Sequence, residues 1–312
     1  MTTSHKHAPL RVGVVGAGRV GPVIAAALAA SGHHAVAAAG QSAAARARAA
    51  DLLPGVAVAK PSAVARASEL LLLTVPDDML DNVATMLSGA GAIRPGQIVV
   101  HTSGRHGLAV LEAARLAGAR VIALHPAMTF TGTALDLPRL SGCVFGVTAA
   151  DTERELARSL VGDLGGRAMW VPEEQRTLYH AGLAHGANHL VTLVSQAMEM
   201  LAAAGADDPA GTLRPLLGAA LDNALAGGDK ALTGPIVRGD VKTVRAHLAD
   251  IAHSTPRALD SYVTMARATL ERVVGDGRLL PIQAAKIYAL LDDAVASERD
   301  VPTDWFTDGR QW

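Results

Sequence analysis

At 312 residues, half of them apolar and 18% charged, the chain is long enough for two domains and too apolar to be disordered as a whole. A formal net charge of -1 gives no electrostatic reason to bind nucleic acid or an anionic membrane, and an aromatic content of 3% argues against a base-stacking surface. The single Cys143 cannot form an internal disulfide and no charged n-region leads into an apolar leader. The apolar stretches Ile24 to Ala30 and Glu69 to Val75 stop well short of the roughly 20 residues a membrane helix needs. A cytoplasmic protein that acts on a small molecule is expected.

Met1 to Pro9, with His5, Lys6 and His7, reads as a loose tail. From Leu10 the pattern is a short strand, Arg11 to Val15, a glycine-rich turn, Gly16 to Gly21, and an alanine-rich helix, Pro22 to Ser31. A second strand is expected at His34 to Ala39, then a helix to Leu53, and further strands at Leu70 to Val75, Gln97 to His101, Arg120 to Leu124, Gly142 to Thr148 and Ala168 to Val171. This alternation predicts an α/β fold with a doubly wound, mainly parallel sheet over residues 10–172. After Pro172 the apolar residues recur at helical spacing, broken at Gly205 to Pro209, Gly227 to Gly239, His253 to Pro256 and Gly275 to Pro281. An all-helical domain over 173–298 and a C-terminal tail over 299–312 are expected.

Gly16, Gly18 and Gly21 form G-x-G-x-x-G between a strand and a helix, the context in which this spacing binds a dinucleotide. The first glycine allows the tight turn, the second lets a pyrophosphate approach the backbone, and the third lets helix and strand pack closely. Arg19 and Val20 lie within the same loop, and the phosphates would sit on the free N–H groups of the helix N-terminus. An NAD site usually places an acid at the end of the second strand, but here the stretch is Gly40-Gln41-Ser42 with Arg46 and Arg48 following. Hydroxyl and guanidinium groups suit a 2′-phosphate, so Ser42 and Arg46 point to NADP(H).

Thr74-Val75-Pro76-Asp77 and His101-Thr102-Ser103-Gly104 each follow an apolar run, so Val75, Pro76, Thr102 and Ser103 should line the cofactor crevice. Asp77 reads as the cap of a helix beginning at Met79, and His125-Pro126 follows the next strand at the same edge. In the long helix from Leu178, His180 shares a stripe with Leu183, Ala187, Leu190, Val191 and Val194, with Asn188 on its margin. A histidine and an amide beside a face that should pack on the cofactor domain suit a carbonyl substrate. His185 and His189 have the spacing of a zinc pair but lack the accompanying Glu and a third ligand, so no metal is expected. In the loop Thr233 to Asp240, Arg238 could clamp a carboxylate, while Asp240 reads as a helix cap.

These residues resemble a family. His125-Pro126 with Thr129-Phe130, the Tyr179-His180 to Asn188 helix, and Ala231 to Pro235 with Arg238-Gly239-Asp240 are similar to Rossmann-like proteins that carry a DUF2520-type helical domain. That group is distantly related to ketopantoate reductase, pyrroline-5-carboxylate reductase and the 6-phosphogluconate dehydrogenase superfamily. The resemblance implies an NADPH-dependent reductase of a small 2-keto acid, with ketopantoate the best guess. Matching the long helix to that of ketopantoate reductases puts His180 where they carry a lysine acid and Ala184 where they carry the first of two asparagines. The expected roles are proton delivery by His180, binding of the developing oxyanion by Asn188, and substrate binding by His125, Thr233 and Arg238. A homodimer through the helical domain is expected. The alternatives are an imine reductase of the pyrroline-5-carboxylate type and a non-catalytic NADP-binding sensor or scaffold.

Overall fold

A computed structural model describes residues 8–299; the His5, Lys6 and His7 tract and the tail from residue 300 on lie outside it. The chain divides into two compact units, Met1–Gly186 and Ala187–Trp312. The first is built on eight strands: β1 (Arg11–Val15), β2 (His34–Ala39), β3 (Ala57–Val58), β4 (Leu70–Leu73), β5 (Ile98–His101), β6 (Arg120–Pro126), β7 (Val144–Ala149) and β8 (Arg167–Trp170). Their order across the sheet is β3-β2-β1-β4-β5-β6-β7-β8. All neighbours run parallel except β6 and β7. The doubly wound, mainly parallel sheet expected from the sequence is present.

Six helices connect these strands: α1 (Gly21–Ala30), α2 (Ala43–Leu52), α3 (Pro61–Ala67), α4 (Leu80–Gly89), α5 (Glu112–Leu116) and α6 (Arg154–Asp163). A parallel sheet covered on both faces buries consecutive residues, and the four leucines of β4 are all buried. Val12, Val14, Ile24, Leu28 and Phe145 fill the core on one face; Val15, Leu71, Leu73, Leu80 and Leu87 fill the other. The antiparallel step at β7 follows from its connection, since residues 127–143 carry two short 3-10 turns and no crossover helix.

The sequence reading gave neither β3, two residues long, nor α3, and it ran β4 two residues too far. Thr74 leaves the strand because its hydroxyl turns to the carbonyl of Gly16 at 2.6 Å. His125 and Pro126 do not follow β6 as expected but are its last two residues, paired with Gly146 and Phe145 of β7.

Strand structure ends at Trp170, and α7 (Arg176–Ala203) then runs through the division between the units. The second unit contains the rest of α7 with α8 (Pro209–Gly227), α9 (Val241–Ser254), α10 (Leu259–Gly275) and α11 (Pro281–Arg299). The helix breaks fall in the stretches where the sequence placed them. Asp208 caps α8 through the amide of Gly211 at 2.8 Å, and Asp240 caps α9 through that of Thr243 at 3.1 Å, the capping role expected of it. Val244, Leu248, Val263, Leu270, Ile287 and Leu291 make the core between α9, α10 and α11. The apolar stripe expected to be buried along α7 is open: Leu190 is 39% and Val191 67% exposed, and Arg176 is the buried residue of the helix. Helical periodicity reports a face that wants a partner, and the described residues do not supply it. No helix among the described residues is long and apolar enough to cross a membrane.

Candidate functional site

The turn after β1 has the shape its glycines require. Gly16 adopts φ 104°, a conformation that disfavours side chains, and a Cβ there would lie 2.5 Å from the carbonyl carbon of Thr74. A Cβ at Gly21 would strike Thr74 Oγ1 and come within 2.7 Å of Val14 Cγ1, so this glycine is where α1 meets the sheet. At Gly18 the nearest atom to such a Cβ is 4.0 Å away, so the space in front of the second glycine is open. The N-terminus of α1 has no side-chain cap and no acid in its first turn, which leaves its N–H groups for an anion. Two glycines closed by packing and one open to a ligand is the arrangement a dinucleotide pyrophosphate fits.

Around this turn, Arg19 is exposed and Val20 precedes α1. The backbone of Thr74 and Val75 lies against Gly16, with Pro76 exposed beyond it. Ser42 caps α2 by accepting from the amide of Ala45 at 3.1 Å, and Arg46 is exposed and donates to the carbonyl of Gln41 at 2.6 Å. Arg48 is half-buried, and its Nε has no hydrogen-bond partner among the described residues. A Cβ at Gly132, in the loop after β6, would come within 2.9 Å of Arg48 Cδ and 3.1 Å of Arg19 Cα. That loop therefore reaches the glycine-rich turn, a contact between segments more than 110 residues apart that the sequence reading did not foresee.

A second cluster lies at the carboxyl ends of β5 and β6, on the same sheet edge as the glycine-rich turn. His101 is fully buried; its Nδ1 accepts from the amide of Ser103 at 3.1 Å and its Nε2 meets the carbonyl of Gly107 at 2.7 Å. Burial pushes its pKa down to about 3. It is a neutral clamp on the loop that carries Thr102, Ser103 and Gly104. Ser103 in turn accepts from the amide of His106 through Oγ at 3.2 Å, and Thr102 is half-buried beside it.

The first turns of α7 add Arg176, Tyr179 and His180. Arg176 is 1% exposed; it donates to the carbonyl of Ser103 at 2.5 Å, to that of Gly146 at 3.1 Å and to Thr148 Oγ1 at 3.3 Å, while its Nε has no partner among the described residues. Arginine keeps its charge in such a setting, so the site is built around a buried cation. Tyr179 Oη lies 2.9 Å from His125 Nδ1, and its ring packs over Gly146, where a side chain would strike it. The rings of His125 and His180 meet edge to face with centroids 6.0 Å apart. A Cβ at Gly104 would sit 2.5 Å from His180 Cδ2 and 3.1 Å from His125 Nε2, so the glycine lets both imidazoles approach the loop. Burial, then the charge of Arg176, lowers the pKa of His125 to about 4.

His125, His180, Thr102 and Ser103, four of the residues singled out from sequence, are thus brought to one place. Asn188, Thr233 and Arg238 are exposed residues of the second unit and make no hydrogen bond to one another. Asp77 is not the helix cap it resembled: α4 begins at Leu80 without a side-chain cap, and the Asp77 carboxylate faces Arg105 at 3.8 Å. Sequence reasoning passed over Arg176 and Tyr179. Tyr179 was visible as the neighbour of His180, but an arginine in the first turn of a helix carries no signal that it will be buried.

Residues 1–126 match the model of a Rossmann-like domain, and residues 143–269 match that of a domain of unknown function, DUF2520. No curated protein matches. Among solved structures, the chain is similar to the Bacteroides fragilis protein BF3122, provisionally named an NADP oxidoreductase, at 19% identity and a TM-score of 0.73 over 84% of this chain and 98% of that one. It is similar to the imine reductase from Pseudomonas sp. at 17% identity and a TM-score of 0.63, covering 92% of this chain and all of that one. A pyrroline carboxylate reductase from Plasmodium falciparum, solved with NADP bound, matches at 11% identity and a TM-score of 0.57 over 90% of this chain and 98% of that one. At these identities the likeness is one of fold. The two family matches identify the chain as a Rossmann-like domain joined to a DUF2520 domain.

Proposed function

We propose that the protein is an NADPH-dependent reductase of a small 2-keto acid, with ketopantoate the first substrate to test. The observation that carries this reading is the convergence of His125, His180 and Gly104 at the sheet edge on which the open glycine turn lies. NADPH, when bound, supplies the hydride. Gly16, Gly18 and Gly21 with the α1 N-terminus hold its pyrophosphate, Arg19 and Val20 flank it, and Ser42 and Arg46 recognise the 2′-phosphate. Val75, Pro76, Thr102 and Ser103 line the path towards the nicotinamide. His180, or a water it holds, delivers the proton to the developing alkoxide and Asn188 binds that oxygen, while His125, Thr233 and Arg238 bind the substrate. The fold shared with NADP-bound reductases supports the cofactor.

The charges of the cluster favour a ketone over an imine. Among the described residues Arg176 has no carboxylate in hydrogen-bond contact; of the two acids nearest it, Glu173 accepts from the amides of Leu108 and Ala109 and Asp77 faces Arg105. A buried guanidinium stabilises an oxygen that gains negative charge and disfavours the cationic iminium that an imine reductase must bind. Exposed leucines on α8, among them Leu216 and Leu225, at 64% and 79%, support a homodimer through the helical unit. The test is the loss of NADPH absorbance against a panel of 2-keto acids and cyclic imines. Oxidation of NADPH with keto acids that fails in His180→Ala is expected; tight cofactor binding with no turnover of any panel member would favour a sensor.

A further inference from the structure

We propose that His125 donates a hydrogen bond from Nε2–H to the reacting carbonyl oxygen, and that Tyr179 is the positioning residue that sets this tautomer. The proposal deepens the reductase reading and rests on it. The phenolic oxygen of Tyr179 lies 2.9 Å from His125 Nδ1. Among the described residues Nδ1 is the one acceptor in hydrogen-bond reach of the phenolic proton, which would otherwise be left unpaired. Burial pushes the Tyr179 phenol up, so that proton stays in place at neutral pH. A neutral imidazole that accepts at Nδ1 carries its proton at Nε2.

Among the described residues Nε2 makes no hydrogen bond, and it faces Gly104, where an added Cβ would lie 3.1 Å from it beside the His180 ring. The charged and titratable groups that face His125 are Arg176 and His180 from α7 and Asp77 from the turn after β4. Arg176 also ties the carbonyls of Ser103 and Gly146 together, and so holds the loop beside Nε2 to the strand beneath Tyr179.

The two histidines then have different tasks. A neutral imidazole that gave up its proton would become an imidazolate, so His125 stabilises the oxygen and keeps its proton. Bound NADPH would supply the hydride to the carbonyl carbon. The oxygen would take its proton from the imidazolium form of His180, or from a water that this imidazolium reprotonates, so that His180 ends neutral and His125 is unchanged.

The test is long-range ¹H–¹⁵N NMR of histidine-labelled protein at pH 7, alongside steady-state kinetics. Wild-type His125 is expected as the single Nε2–H tautomer, assigned by its loss in His125→Gln. In Tyr179→Phe the tautomers should mix and kcat should fall about 10- to 100-fold, the loss of one strong hydrogen bond, with NADPH affinity unchanged. His125→Gln, whose amide can donate from the position of Nε2, should keep more activity than His125→Asn. An Nδ1–H tautomer in the wild type overturns the proposal. So does an unaltered tautomer in Tyr179→Phe, or full kcat once the tautomers are mixed. If the wild type shows the Nε2–H form yet reduces no keto acid, the reductase reading fails and the donor role with it, while the spectrum still establishes the Tyr179 tautomer.

Discussion

Valine at position 18 and alanine at position 21 separate cofactor binding from folding within one short turn. At Gly18 the nearest atom to a new Cβ is 4.0 Å away and φ is not in the left-handed region, so Gly18→Val should fold with an almost unchanged melting temperature. Its methyl groups would occupy the space assigned to the pyrophosphate. Losing one charge-assisted backbone hydrogen bond costs about 1.5–3 kcal/mol, so NADPH affinity should fall at least about 10- to 100-fold. Gly21→Ala has the opposite geometry, because its Cβ meets Thr74 Oγ1, Val14 Cγ1 at 2.7 Å and the Gly16 carbonyl at 2.9 Å. Overpacking of this kind costs about 1–3 kcal/mol, and at about 2–4 °C per kcal/mol the melting temperature should drop by roughly 2–12 °C. Calorimetry and fluorescence titration with NADPH on both variants decide the matter. Full NADPH affinity in a folded Gly18→Val protein would refute the phosphate-turn assignment.

His180→Ala should lower kcat by about 10²- to 10⁴-fold with little loss of NADPH affinity, and Asn188→Ala should cost about 2–4 kcal/mol in kcat/KM. Unchanged turnover in variants that merely melt earlier would reduce both residues to packing. NADPH should bind more tightly than NADH, with Arg46→Ala narrowing the gap; equal affinity in a direct titration counts against the 2′-phosphate assignment. Stability should depend on acid through His101 and His125, whose folded pKa values of about 3 and about 4 lie below the 6.5 of the unfolded chain. The unfolded chain binds more protons below pH 6.5, so their contribution is complete above that pH and is lost as the pH falls towards 4 and then 3. At pH 5 the loss is about 2 kcal/mol for each histidine. Urea unfolding at pH 7.5 and pH 5 measures it, and equal stability at the two would show that neither ring is held neutral.

Local chemistry was legible in the sequence. The strand, turn and helix around Gly16, Gly18 and Gly21 could be read because backbone conformation, close packing and phosphate approach each demand glycine at a fixed spacing. The Asp240 cap and the breaks between the C-terminal helices could be read for the same reason, since capping and helix termination act within a few residues. The burial of Arg176 could not, because its partners, Ser103, Gly146 and Thr148, lie at least 28 residues away on a loop and a strand that only the folded sheet brings together. Nor could the reach of the Gly132 loop to Arg19, or the pairing of His125 with Tyr179 across 54 residues. The open face of α7 shows the converse limit: periodicity marked an apolar stripe, but what covers a stripe is decided by tertiary and quaternary packing. The sequence alone therefore determined the doubly wound architecture and the glycine-rich turn, which rest on short-range backbone rules. The tertiary structure alone decided which titratable groups meet and which are buried, because burial and through-space electrostatics depend on distances that the order of residues does not contain.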